Sequence, residues 1–136
     1  MARRTQDREI GGAVWSVTQF PATEGLALLT RLMKLTGPAL GAVTRGSGAG
    51  AVEIGTFVAR LVEQLDEVET VSLIKRLLKD TRKDGREILP VFDIEFMGNY
   101  FTLLQVLGFV LEVNYGDFFA GVSQQAAAQA TLATEA

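Results

Sequence analysis

The alternation of apolar and polar positions divides this chain into a polar leader, one strand, a run of helices and a small-residue tail. Residues 1–12 are charged, end at Gly11-Gly12, and read as a mobile leader. Ala13–Phe20, AVWSVTQF, puts Val14, Ser16 and Thr18 on one side and Trp15, Val17 and Gln19 on the other. With its β-branched and aromatic content, this stretch predicts a strand, closed by Pro21. A helix is predicted over Ala22–Thr36, with Leu26, Leu29 and Met33 in one stripe, Leu28, Leu32 and Leu35 beside it, and a stop or a break at Gly37-Pro38. Gly41–Gly50 reads as a flexible loop. Ala51–Gln64 has Ile54, Phe57, Val58 and Leu61 at core spacing, followed by Leu65. Asp66 suits the N-cap of a helix running to about Lys79, with Val68, Val71, Ile74, Leu77 and Leu78 facing inward. Asp84-Gly85 signals a small hairpin, which is marginal alone and is expected to pair with the 13–20 strand or to order on assembly.

The segment Phe92–Phe119 is the most apolar and aromatic part of the chain. No charge occurs between Glu95 and Glu112, and Phe101, Leu104, Leu107, Val110 and Leu111 recur at helical spacing. Leu103, Val106, Phe109 and Val113 add a second apolar face. Such a helix is buried in a core, against a partner or in a membrane. The uncharged run is shorter than the roughly 20 apolar residues a span requires and contains Gly98, Asn99, Thr102, Gln105 and Gly108, so no membrane association is expected. Asp93 is a plausible N-cap, and Asn114 and Gly116 a plausible stop. Beyond Phe119 the chain is rich in Ala and Gln, which predicts a frayed helix or flexible tail over 120–136. The expected class is therefore α+β, predominantly α-helical: about four helices, a short N-terminal strand and a small β-hairpin, in a single domain over 13–119.

Composition narrows the chemistry. The chain has 136 residues, 48% of them hydrophobic, enough for one real core. Thirteen basic residues against 16 acidic give a net charge of −3, which argues against nucleic acid as a partner. With no Cys and no His, disulfides, thiolate or imidazole zinc sites and His-activated nucleophiles are excluded. The acidic group Glu63, Asp66, Glu67 and Glu69 is explained by capping and dipole complementarity rather than by a metal. The glycine-rich 41–50 stretch lacks the Lys-Ser/Thr and the preceding strand of a phosphate loop. No catalytic, cofactor-binding or metal site is expected, and the chain does not read as an enzyme. The charged start shows no signal peptide, so a cytoplasmic location is the simplest expectation.

Two blocks carry a family resemblance. FDIEFMGNY, an apolar helix and LEVNYGDFF resemble the C-terminal signature of phage tail assembly chaperones. Val14–Leu40, VWSVTQFPATEGLALLTRLMKLTGPAL, resembles that family's opening strand, Pro turn and Leu-rich helix. The resemblance implies a non-catalytic protein that binds the tape measure protein and the major tail protein during tail morphogenesis. It also implies action in the host bacterial cytoplasm, absence from the finished particle, and in many members a second, frameshifted product. A self-associating homo-oligomer is expected. The alternative is a structural component of the tail or baseplate. Large aromatics are favoured anchors, which makes Phe96, Tyr100, Phe118 and Phe119, around the ends of the central helix, the candidate partner contacts.

Overall fold

The computed structural model describes residues 4–44 and 51–135. Its sheet is built from β1 (Thr5–Ile10), β2 (Ala13–Thr18), β3 (Thr81–Lys83) and β4 (Arg86–Glu87), all antiparallel in the order β1-β2-β3-β4. The expected leader is thus largely a strand. Gly11-Gly12 form a tight turn that folds Thr5–Ile10 back on the next strand, pairing Arg8 with Trp15 and Ile10 with Ala13. Alternation is visible in β2, where Ala13, Trp15 and Val17 are buried. Trp15 donates its indole Nε1–H to the Ile10 carbonyl at 3.1 Å, which satisfies the one polar atom of a fully buried ring. The hairpin pairs with β2 as expected, Val17 opposite Thr81 and Trp15 opposite Lys83. Asp84 and Gly85 both take positive φ in its two-residue turn, and the Asp84 carboxylate accepts the Val14 N–H at 3.0 Å.

Six α-helices occur among the described residues, rather than about four. α1 (Ala22–Thr36) and α3 (Ala51–Gln64) have the expected bounds. Gly37 ends α1 as its C-cap at a φ of 54°, as expected, and Pro38, at a position that needs no N–H, opens a further helix, α2 (Pro38–Thr44), which covers the start of the expected loop. The remainder of that loop, 45–50, lies outside the described residues. α4 (Glu67–Leu77) is capped by Asp66, whose carboxylate accepts the Glu69 N–H at 2.7 Å. The central segment holds two helices, α5 (Phe92–Glu95) and α6 (Tyr100–Glu135), so Asp93 is not the N-cap of the long one. The break is at Gly98, whose φ of 70° is a left-handed conformation that side chains disfavour. Asn99 follows as the boundary residue, its side-chain oxygen accepting the Thr102 hydroxyl at 2.9 Å.

α6 is the axis of the molecule, 36 residues and about 54 Å long. Leu103, Val106, Leu107, Phe109, Val110, Leu111, Val113 and Tyr115 are buried, which is most of its girth over three turns. Neither Asn114 nor Gly116 stops it. Asn114 Nδ2 donates to the Val110 carbonyl at 2.9 Å, and its Oδ1 accepts the Phe20 N–H at 2.9 Å, so this side chain ties the end of the β2 segment to the helix. The backbone beyond Phe119 continues as helix to Glu135, as its alanine content favours. Over Tyr100–Gly121, 22 residues, α6 is long and apolar enough to cross a bilayer, so the length argument against a span does not hold for the whole helix. The eight buried residues of this stretch belong to the protein core, 44% of its most apolar window being buried.

Two inward faces differ from the pattern reading. On α1 the buried positions are Leu28, Leu32 and Thr36, while Leu26 and Met33 are exposed. Two residues on a helix subtend about 200°, so Leu26 stands opposite Leu28. On α4, Leu73 and Leu77 face the core and Val68 and Val71 face out for the same reason. Leu-rich sequence gives no means of choosing the stripe when both sides are apolar.

Candidate partner-binding surface

The segment joining the hairpin to α6 sorts its side chains sharply. Pro90 opens a short 3-10 turn, Leu89–Val91, that runs directly into α5. Phe92 and Phe96 are four residues apart and therefore share one helix face, which points inward. Phe96 is only 3% exposed, stacks on Trp15 with ring centroids 5.7 Å apart, and meets Phe92 edge-on at 5.3 Å. Lys75 Nζ lies 5.2 Å from the Phe92 centroid, and Lys83, 5.8 Å from that of Trp15, pairs with Glu95. These contacts fix α5 against the sheet.

Anchoring two aromatics inward forces their neighbours outward. Ile94 and Met97 are each 75% exposed, Tyr100 69% and Phe101 60%, with Val91 beside them. Five large apolar residues are thus exposed within eleven positions. Single exposed hydrophobics need no explanation, whereas a concentration of them is a feature of interaction surfaces.

A second apolar surface lies 18 residues further along α6, about 27 Å away. Phe118 and the exposed Leu26 flank a groove of about 320 Å³ between α1 and α6, floored by Phe20, Gly25, Leu29 and Tyr115. Tyr115 Oη donates to the Gly25 carbonyl at 2.8 Å. Burial pushes its hydroxyl up to about 12, with nearby Glu24 adding to the rise and Arg76 opposing it. Phe119 is half-buried, edge-on to Phe118 at 5.1 Å, on the side of α6 that meets Gly41 of α2.

The four aromatics singled out from sequence are therefore not one site. Phe96 is a core residue, Phe119 packs largely inward, and Tyr100 and Phe118 stand on separate surfaces. Ile94, Met97, Phe101 and Leu26 are the further exposed apolar residues on these surfaces that aromatic content and helix ends did not single out. The signal for the first three was Gly98-Asn99, because a break there makes 92–96 an independent turn whose 92/96 face is inward. Among the described residues, no three carboxylates converge as a metal site would require.

A family model described as phage tail assembly chaperone protein, TAC, matches residues 11–128. The chain belongs to the phage tail assembly chaperone family. The match runs from the β1–β2 turn through both apolar surfaces, so both are part of the family's domain. No curated protein and no solved structure matches the chain. Membership implies interaction with tail proteins.

Proposed function

We propose that this tail assembly chaperone binds the tape measure protein, the tail tube subunits or both during tail morphogenesis, without catalysis, as a self-associating oligomer in the host cytoplasm. The observation that carries the reading is the concentration of exposed apolar residues at Val91, Ile94, Met97, Tyr100 and Phe101, in the segment that the Trp15–Phe96 stack packs against the sheet. A long client helix with an apolar stripe aggregates unless that stripe is covered, and a rigid apolar surface on a small acidic domain covers it while keeping the complex soluble. The second surface, at Leu26 and Phe118, is available to a neighbouring subunit. Two different apolar patches on one chain suit a head-to-tail contact, which closes into a ring when the rotation permits. The protein leaves before the particle is complete. Affinity capture from infected cells, compared with mass spectrometry of purified particles, tests this. Co-purification with tail proteins and absence from mature particles is expected; stoichiometric presence in particles would instead make it a structural tail or baseplate component.

A further inference from the structure

Residues 89–98, which connect the β3–β4 hairpin to α6, are tied to the rest of the fold through side chains. Ile88 is buried, and its N–H donates to the Thr81 carbonyl at 3.2 Å, the last backbone bond of the hairpin. The bond from the Leu103 N–H to the Asn99 carbonyl, at 3.3 Å, begins the ladder of α6. Between these two points the backbone bonds are local. Val91 donates to Ile88, Phe92 to Leu89, Phe96 to Phe92, Met97 to Ile94 and Asn99 to Phe96. Pro90 has no N–H to give. Among the described residues, no backbone bond joins 89–98 to β1, β2, β3 or another long helix.

The side-chain anchors are few and lie on one side. Phe96 stacks on Trp15, Phe92 meets Phe96 edge-on with Lys75 over its ring, and Glu95 pairs with Lys83. The hairpin side is open: a groove of about 440 Å³ lies there, bordered by Lys83, Ile88, Val91 and Ile94. Ile94 and Met97 are each 75% exposed, so lifting the segment uncovers little more of them. The cost of opening is that of uncovering Trp15, Phe92 and Phe96 and of parting one ion pair. Opening α6 would instead break a continuous helical ladder and expose eight buried residues. Gly98 suits a hinge, because glycine takes positive and negative φ with similar ease and a Cβ at its present φ of 70° would touch nothing.

We propose that residues 89–98 form a strap over Trp15 that swings away as one unit between Ile88 and Gly98 while the sheet and α6 stay folded, with the Lys83–Glu95 pair as its latch. The closed form is the structure described above. The open form adds Trp15, Phe92 and Phe96 to the apolar side chains already exposed, so the apolar surface of this end of the molecule is set by the strap equilibrium. This goes beyond the chaperone reading and does not depend on it.

Native-state hydrogen exchange of the full chain, followed by NMR over a series of low urea concentrations, tests this. The hydrogen-bonded amides of Val91, Phe96 and Asn99 should exchange about a hundredfold faster than those of Val106 and Val110 in α6. They should also share one urea dependence, smaller than that of α6, because a single opening uncovers the aromatic surface for all three. Glu95→Lys places two like charges at the latch and should speed the three strap amides by about fivefold, with Val106 and Val110 unchanged as the internal check on folding. The swap that combines it with Lys83→Glu should return them close to the wild-type rate. Strap amides that exchange at the α6 rate would mean that the segment opens only with the whole molecule, and would overturn the proposal. Exchange that is independent of urea and different for each amide is fraying, and overturns it as well. So does a Glu95→Lys variant whose strap amides exchange as in the wild type.

Discussion

Phe96→Ala is the substitution that best separates core from contact surface in the 92–101 segment. Its ring is buried, stacks on Trp15 at 5.7 Å and meets Phe92 at 5.3 Å, and no other residue in the segment is held as firmly. Truncating a buried Phe typically costs about 3–5 kcal/mol through lost transfer energy and the cavity left behind. The two ring contacts are part of that loss, at about 0.5–1.5 kcal/mol for each pair. For a chain of this size about 1 kcal/mol moves the melting temperature by about 3–5 °C, so a fall of about 10–20 °C is expected. Met97→Ala, one position away and 75% exposed, should cost no more than about 0.5 kcal/mol and leave the melt almost unchanged. Far-UV circular dichroism melts of the two variants, with Trp15 emission as a local probe, make the comparison. Trp15 emission should move toward that of a hydrated indole in Phe96→Ala only. A Phe96→Ala melt within about 3 °C of wild type, or a Met97→Ala melt equally depressed, would refute the assignment of inward and outward faces on which both proposals depend.

Other expectations follow from single contacts. Asp66→Ala removes the side-chain cap of α4 and should cost about 1 kcal/mol in urea unfolding, with Asp66→Asn costing less. Thr81→Val replaces a buried hydroxyl that has no hydrogen-bond partner by a methyl in a strand, and should raise stability by about 1 kcal/mol; a loss would mean the hydroxyl is satisfied. Tyr115 is held neutral in the fold, its hydroxyl raised from 10.0 to about 12 by burial, so the folded state binds its proton more tightly than the unfolded chain. That contribution is complete below pH 10 and is lost as pH rises toward about 12. Tyr115→Phe should therefore lose stability at neutral pH, by about 1 kcal/mol for the bond to Gly25, yet show a shallower decline across the alkaline range in unfolding titrations.

Most of the fold was legible where one physical signal dominated. The alternation of β2, the Asp84-Gly85 turn, the Asp66 cap and the bounds of α1 and α3 all came through, because each depends on local chemistry that nothing distant overrides. β1 was not legible. Its sequence, TQDREI, is polar because it is a charged edge strand, and its pairing is fixed by the Gly11-Gly12 turn and by Arg8, which reaches Glu112 at 3.1 Å and lies 4.4 Å from the Phe109 ring centroid. Those partners are a hundred residues away. Asn114 misled for a related reason: its amide meets Phe20 and Val110, so a residue that tolerates a helix end serves as a tertiary link instead. The candidate surface was legible only as a region. Aromatic content pointed to the ends of the central helix, but which side chains face out depends on the Trp15 pocket that claims Phe96.

Co-expression of this chain with the tape measure protein, read as the soluble fraction of that client, tests the central claim most directly. The account predicts that the client is soluble only when the chaperone is present and co-purifies with it. A client equally insoluble with and without it, or soluble without ever co-purifying, would contradict the account.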